Sequence, residues 1–355
     1  MLNIHLKSIG YYIPNGRKTN EDILRKFKEV NQHLPPAVLD DILYANQRKL
    51  EFLGLKTRTY GRMEDGDNAV NMAIKATKDA FSKGNIEPSE IDCVIFTAGC
   101  NPFREPTFAL LIARQMGIPS ADCFDLNDSC NAFVKAFEIS DFYLNSGKYR
   151  NVLIVTSEHP YEVLKEMESA YYLKDASEAD YKVPCLLPGC GAAAVVVSAG
   201  GDRKRVVNYA ETRSTKDWDI AFFLLTDVYI PPNRFGTEYH GPITDGRDIS
   251  ALVLKEFSEY IRKTLDDWHM APEDIDFIAS HQLGRNITFG LLDLAKIDHR
   301  ASPFNTFPEC GNMGTANIPV NLALAEEKGL LKPGDSILLL SSFLGLAYSV
   351  THIIW

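Results

Sequence analysis

The sequence predicts an α/β protein built twice over, from two βαβα-type halves packed about a shared pseudo-two-fold axis. Two observations carry this. The first is a faint internal repeat: "IEPSEIDCVIFTAG" from Ile86 and "MAPEDIDFIASHQ" from Met270 both read as a loop, an acidic helix-start signal and a buried strand. Helical runs follow in each copy, "TFALLIARQMGI" from Thr107 and "NITFGLLDLAKID" from Asn286. A glycine turn and an apolar strand come next, in "LNSGKYRNVLIVTS" and "EEKGLLKPGDSILLLSS". The matches keep one order and nearly one offset, about half the chain, which marks a single duplication and not a solenoid. The second observation is the strands themselves. "VLIVTS" and "SILLLSS" are continuous apolar runs without polar alternation, as expected of central strands covered by helices on both faces.

The 355 residues suggest two or so domains at roughly 100–200 residues each. The run "CGAAAVVVSAGG" from Cys190 closes the first half near Gly200, so residues 1–200 and 201–355 are the expected halves, with no linker-like stretch between them. The helical stretch from Asn20 to Phe52 and the charged, irregular stretch from Tyr161 to Val183 read as insertions or caps. A formal charge of -10 argues against general nucleic-acid binding. No apolar run approaches the roughly 20 residues that span a bilayer, and the start lacks a basic region followed by an apolar one; a cytoplasmic protein with no membrane partner is expected. Seven cysteines with no CxxC pair fit reduced thiols better than a disulfide framework or a structural zinc site, so no metal is expected.

One cysteine stands apart. Cys93 lies in the apolar run "DCVIFTAG", whereas Cys130, in "DLNDSCNAFVKAF", is wrapped in small polar residues between a strand ("ADCFDL") and an amphipathic helix. At or just inside a helix N-terminus, the dipole and free N–H groups favour a thiolate, so the thiol pKa is expected to fall. On position alone, a small buried hydrophobe reads equally well. A thiol nucleophile needs a proton acceptor and an oxyanion site. His281 ends the strand "IDFIAS" and opens the loop "HQLGRN", at the strand end where α/β proteins bind ligands. Asn312 sits among small residues in "PECGNMGTANIP", which reads by itself as an ordinary Gly/Asn turn.

Together, "DLNDSCNAF", "SHQLGRN" and "CGNMGTANIP" resemble the Cys, His and Asn motifs of the β-ketoacyl-acyl carrier protein synthase III family of the thiolase superfamily, in order and over nearly the whole chain. "GYYIPNGRKTNEDI" resembles that family's first strand and turn, and "SFLGLAYSV" occupies the place of its glycine-rich oxyanion loop. The resemblance implies the thiolase fold, a duplicated five-layered αβαβα architecture. It implies an acyltransferase that forms carbon–carbon bonds by Claisen condensation. Cys130 would be the acylated nucleophile, His281 and Asn312 the pair at the condensation centre, and the backbone N–H groups of Cys130 and Gly345 the oxyanion hole. It also implies a homodimer, substrates carried on the phosphopantetheine of an acyl carrier protein or of coenzyme A, and no other cofactor.

The chain departs from that family in a telling place. "NPFREPTFALLIARQMG" aligns with the segment that crosses the dimer interface to the partner's acyl pocket, and Glu105 stands where an apolar residue is usual. A glutamate there resembles the head-to-head condensing thiolase of olefin biosynthesis and ketosynthases of the photopyrone synthase type, which join two acyl chains into pyrones. In those it is taken to be the base, here reaching in from the partner subunit. Read alone, Glu105 is a surface acid at a helix start, with Pro106 suited to the first helical position. The tryptophan that stacks on adenine is absent, with Arg48 near its place; Gly284 replaces an asparagine; the C-terminal glycine triplet is reduced to "FLG". These changes fit a carrier-protein donor, or an altered second acyl site; for the former, Arg48, Lys49, Arg58 and Arg285 form a candidate basic patch, although each reads singly as a solvated charge. The expected activity is condensation of two acyl, foremost β-ketoacyl, thioesters to an α-pyrone or similar product. The alternatives are an ordinary synthase III using malonyl-acyl carrier protein, an acyltransferase to oxygen or nitrogen, and a non-catalytic partner subunit, against which the intact Cys–His–Asn set argues.

Overall fold

The apolar runs become the inner strands of two sheets. The computed structural model describes residues 4–99, 101–165, 167–200, 206–222, 233–236, 241–302 and 305–355. The first half contains β1 (Ile4–Tyr12), a hairpin of β2 (Gly16–Thr19) and β3 (Thr57–Tyr60), then β4 (Cys93–Thr97), β5 (Asp122–Leu126), β6 (Asn151–Glu158) and β7 (Gly191–Ala199). Its helices are α1 (Asn20–Val30), α2 (Pro36–Leu53), α3 (Ala69–Gly84), α4 (Phe108–Gln115), α5 (Ala132–Asn145), α6 (Pro160–Val163) and α7 (Glu168–Tyr171). The second half contains β8 (Val206–Ser214), the short β9 (Ala221–Phe222) and β10 (Ile243–Thr244), then β11 (Phe277–Ser280), β12 (Ser336–Phe343) and β13 (Ala347–Ile354). Its helices are α8 (Gly246–Leu252), which runs through a π-helical turn at Val253–Phe257 into α9 (Ser258–Asp267), α10 (Arg285–Ala295), α11 (Phe307–Cys310) and α12 (Asn317–Glu327).

The strand order is β11-β12-β13-β8-β1-β7-β6-β4-β5. Only two residue pairs, Ile4 with Val207 and His5 with Val206, join β1 to β8, so this is two sheets meeting at their edges. In the first sheet β1, β7 and β6 run antiparallel and β6, β4 and β5 parallel. In the second, β8, β13 and β12 run antiparallel and β12 and β11 parallel. The same succession of directions in both is the duplication expressed as topology. The expected division near Gly200 falls between β7 and β8, beside residues 201–205, which lie outside the described residues.

Side-chain alternation along these strands makes the layers. Cys93 and Ile95 of β4, Val152 and Ile154 of β6, Phe277 and Ala279 of β11, and Ile337 and Leu339 of β12 share one buried cluster with Phe133 and Phe137 of α5 and Ile318 and Leu322 of α12. Helices α5 and α12 therefore lie between the two sheets. The intervening residues face outward: Val94, Phe96, Leu153 and Val155 onto α3 and α4, and Ile278, Leu338 and Leu340 onto α9 and α10. Helices, sheet, helices, sheet, helices is the five-layered arrangement the family resemblance implies. Full burial of Phe133 and Phe137 contributes roughly 1.5–3 kcal/mol each. The outer layer lies close: a Cβ at Gly10 of β1 would sit 2.2 Å from the backbone nitrogen of Ala80 on α3, so only glycine fits there. No described helix is long and apolar enough to cross a membrane.

Helix α4 corrects one expectation. It starts at Phe108 with Thr107 as its cap, whose side chain accepts the N–H of Leu110, so Pro106 is outside the helix and not its first residue. The free N–H groups of Phe108 and Ala109 donate to the Asp125 carboxylate at 2.9 Å each, so Asp125, and not Glu105, is the acid that serves this helix start.

Candidate active site

Chain geometry after β5 brings Cys130 forward. The turn Asn127–Asp128–Ser129 is closed by Asn131 N–H to Asp128 O at 3.1 Å and by the Asn131 side chain to Asp128 Oδ2 at 2.8 Å. Ser129 takes φ = 49°, the left-handed region that costs a non-glycine residue of order 1–3 kcal/mol. This sharp turn lifts Cys130 out of the strand line one residue before the Asn131 cap of α5, not inside the helix. Cys130 is partly open, whereas Cys93, Cys185, Cys190 and Cys310 are buried. Its thiol departs from expectation in the other direction: burial first, and the charge of Glu158 second, push it up to about 12. Desolvation and a nearby anion outweigh the helix terminus, so the resting nucleophile is a thiol.

Glu158 was not evident from the sequence as a site residue. It ends β6, is 4% exposed, and its Oε1 accepts from Gly99 N–H at 2.7 Å, Thr315 N–H at 3.2 Å and Thr315 Oγ1 at 2.8 Å. Those bonds tie the end of β6 to the loop after β4 and to the loop carrying Asn312. A Cβ at Gly314, where φ is +54°, would lie 2.7 Å from Glu158 Oε1, which leaves glycine alone able to hold this turn. The one signal in the sequence was an acid closing an apolar strand, "VLIVTSE".

His281 follows β11 directly, and its N–H donates to Leu340 O at 2.8 Å, which holds the strand end against β12. The ring has an oxygen neighbour on both sides: Nδ1 lies 2.9 Å from Ser342 O and Nε2 lies 3.1 Å from Asn312 Oδ1. Burial lowers its pKa, opposed by the bonds to Asn312 and Ser342, so the imidazole is neutral at pH 7. A carbonyl can only accept, which assigns the proton to Nδ1 and leaves the Nε2 lone pair facing Asn312 Oδ1. A proton arriving at Nε2 therefore finds an acceptor already in place. Next to it, Gln282 Oε1 accepts Phe307 N–H at 2.9 Å, fixing the approach to α11 and the Asn312 loop.

Asn312 is held by the first half of the chain. Its N–H donates to Leu187 O at 2.9 Å, and its carbonyl accepts Gly189 N–H at 2.9 Å. His281 and Asn312 are thus brought together, and Glu158 links the Asn312 loop to the neighbourhood of Cys130. Gly345 lies in the turn from β12 to β13 with φ = 104°, three residues beyond the Ser342 carbonyl that holds His281. Glu105 is exposed, and among the described residues of its own chain it makes no hydrogen bond or ion pair. Its loop is anchored on both sides, by Gly99 on Glu158 and by Phe103 stacked on Phe108 at 4.5 Å between ring centroids.

The basic patch needs correction. Arg58 is 0% exposed; it donates to Leu186 O and Asn20 Oδ1 and lies behind Gly311, so it is a structural residue and cannot meet a partner. Lys49 is paired with Asp180, and Arg48 approaches Glu51 at 3.6 Å. Arg285 is exposed and lies over the Phe289 ring. No described group of three or more His, Cys, Asp or Glu side chains is arranged to hold a metal ion.

Residues 124–214 match the family model "3-Oxoacyl-[acyl-carrier-protein (ACP)] synthase III", and residues 265–355 match its C-terminal model; together they cover about half the chain. The β-ketoacyl-[acyl-carrier-protein] synthase III of Clostridium novyi (strain NT) is 26% identical over 361 residues, covering 100% of both chains. That of Aquifex aeolicus is 27% identical over 297 residues, 83% of this chain and 86% of the other. Among solved structures, a single-site variant of Xanthomonas campestris OleA superposes with a TM-score of 0.85 at 22% identity, covering 100% of this chain and 98% of the other. The 3-oxoacyl-[acyl-carrier-protein] synthase III of Aquifex aeolicus superposes with a TM-score of 0.77 at 22% identity, over 99% and 100%. The structural likenesses establish the thiolase fold.

Proposed function

The chain belongs to the 3-oxoacyl-[acyl-carrier-protein] synthase III family of the thiolase superfamily, and on that premise we propose that it is a ketosynthase joining two acyl thioesters, foremost β-ketoacyl thioesters, through an acyl group held on Cys130. The product we propose is an α-pyrone or a similar condensed compound. The observation that carries this reading is the pair formed by a buried, neutral His281 and Asn312, with Nε2 and Oδ1 3.1 Å apart. In the first half-reaction the Cys130 thiol loses its proton, His281 Nε2 being the acceptor at hand. The sulfur attacks the acyl carbonyl, the carrier thiol leaves, and the Cys130 and Gly345 N–H groups stabilise the tetrahedral oxyanion. In the second, a base removes an α-proton from the incoming thioester. Its enolate oxygen is held by His281 and Asn312, and the carbanion attacks the Cys130 acyl carbonyl and expels the thiolate.

That base is Glu105 of the partner subunit in a homodimer. Supporting this are the lack of any partner for Glu105 among the described residues of its own chain and its place on a loop near β5, an edge strand of the sheet. Apolar side chains of the same loop and of α4 stand partly exposed, Phe103 at 36% and Leu110 at 37%. A second reading, decarboxylative condensation with malonyl-acyl carrier protein, is favoured by the curated relatives, which are named for that family's synthase. Products identified by mass after incubation with two acyl or β-ketoacyl thioesters, with and without malonyl thioester, separate the two. Condensed product without malonyl supports the first; product only with malonyl supports the second. Acylation of Cys130 with no condensed product under either condition would leave only an acyltransferase.

A further inference from the structure

We propose that Asn317 is a positioning residue that fixes which way the Asn312 amide points. This rests on the reading that Asn312 serves the condensation step. Asn317 is the first residue of α12 and is 0% exposed. Its side chain folds back over the 3-10 turn Gly314–Ala316 instead of continuing along the helix. There Oδ1 accepts the Met313 N–H at 3.4 Å, and Nδ2 donates to Asn312 Oδ1 at 2.9 Å. A backbone N–H cannot be an acceptor, so the Met313 contact decides the Asn317 amide, which in turn presents an NH2 group to Asn312. Gly314 N–H donates to the same Asn312 oxygen at 2.9 Å. Two donors on one side thus hold Asn312 Oδ1 in place.

The consequence lies on the other end of the amide. Asn312 Nδ2 makes no hydrogen bond to the described residues, and it is not among the buried side-chain atoms left without a partner. The NH2 group is therefore open to a ligand and available as a donor to an enolate oxygen. Oδ1 simultaneously faces His281 Nε2 at 3.1 Å, where it accepts once the ring is protonated. A flipped amide would reverse both roles: an oxygen lone pair would face the enolate, and the N–H pair would oppose Nε2 once it carries the proton it needs for donation. Gly314 N–H alone is one donor against that flip; Asn317 is the second. The unprotonated His281 Nε2 by itself favours the flipped amide, so the two donors, Gly314 N–H and Asn317 Nδ2, are what hold Asn312 Oδ1 toward the ring.

Asn317→Asp tests this. It has the same shape, and an acid in the first helical turn suits the helix dipole, which offsets part of the cost of a buried carboxylate; the thermal midpoint reads the remainder. It replaces the donor facing Asn312 Oδ1 with an acceptor and favours the flip. With an acyl-coenzyme A thioester, Cys130 should still take up the acyl group, read by peptide mass. The kcat for condensed product should fall about 100-fold, the low end for losing one oxyanion donor, with little change in KM. Asn317→Ser, which keeps a short donor, should recover part of that loss. Asn312→Ala should lose condensation, and adding Asn317→Asp to it should cost nothing further. If Asn312→Ala loses condensation while Asn317→Asp does not, or if the two losses add, the positioning role is overturned and the proposed function stands. If Asn317→Asp lowers Cys130 acylation and condensation equally, or lowers the thermal midpoint as far as Asn317→Leu does, Asn317 is a packing residue and the proposal fails. If Asn312→Ala condenses at the wild-type rate, the functional reading itself fails.

Discussion

Replacing Glu158 with glutamine should make Cys130 more reactive, not less. The thiol is raised from an ordinary value near 9 to about 12, with burial the larger cause and the Glu158 charge the next. The Glu158 charge is the smaller of the two raising causes, and a backbone hydrogen bond opposes both. One pKa unit corresponds to about 1.4 kcal/mol and to about a tenfold change in thiolate at any pH below the thiol's own value. Glutamine keeps an oxygen that can accept from Gly99 N–H and from Thr315, so the loop stays tied, while three charge-assisted bonds become neutral ones at a cost of about 1–3 kcal/mol in stability. The assay is alkylation of Cys130 by iodoacetamide between pH 7 and 10, followed by mass of the Cys130 peptide. Cys123, also partly open but not near Glu158, serves as an internal standard. The expected result is a Cys130 rate higher at each pH, about tenfold for each unit by which the thiol pKa falls, with the Cys123 rate unchanged. Superimposable Cys130 curves for the two proteins would refute the reasoning, since the anion beside the thiol would then have no hold on it.

Cys130→Ser should abolish condensed product, and acyl mass from an acyl thioester should appear on the Cys130 peptide of the wild type; label on Cys123 or Cys310 instead would remove Cys130 as nucleophile. Glu105→Ala should keep acylation of Cys130 but lose the condensed product with non-malonyl substrates, and a heterodimer of Glu105→Ala with Cys130→Ala chains should recover about half the wild-type activity, one composite site in two being intact. Wild-type condensation by Glu105→Ala, or a fully active monomer, contradicts that assignment. His352 is 3% exposed and its folded pKa is lowered to about 4 by burial, against about 6.5 unfolded, so its contribution is complete above 6.5 and is lost as pH falls toward 4. Between pH 7 and 5 that amounts to about 2 kcal/mol, and urea unfolding of His352→Gln should show a pH dependence smaller by that amount; equal slopes would contradict it.

The fold was legible because the information is local and repeated. β4 and β11 announce themselves as apolar runs after matching loops, and a strand that is apolar on both faces can only lie between two helical layers. Cys130 and His281 were legible for a related reason: each is a reactive residue placed where a strand ends. What the sequence did not reveal depends on contacts between distant segments. Glu158 and Thr315 are 157 residues apart, and the bond between them exists only after the halves have met. The thiol was misjudged because the helix start is visible in the sequence while the depth of burial and the neighbouring anion are not. Arg58 was taken for a surface charge because nothing in "LKTRTYG" says that the guanidinium turns inward to Leu186 O. Nothing in "GNMGTANIP" singles out Asn317, whose proposed role appears only from the direction of two amides.

The seam at β1 and β8 has a meaning for the history of the molecule. If both halves descend from one ancestral unit, corresponding strand ends started with equal opportunity. The end of β4 now leads to Gly99, a backbone donor, while the end of β11 leads to His281; one copy retains the thiol, the other the imidazole and the amide. Under the proposed function, each copy has become the complement of the other's loss. Such a division is hard to reverse, because a change that restores a function to one half gains nothing while the other half still supplies it. It also makes chemistry the most sensitive gauge of how the halves meet. Asn312 takes its backbone bonds from Leu187 and Gly189, across the seam, so a slip of one half against the other would disturb the amide before it unravelled either core. Lineages of this protein should therefore tolerate drift inside each half more readily than drift along the line where they touch.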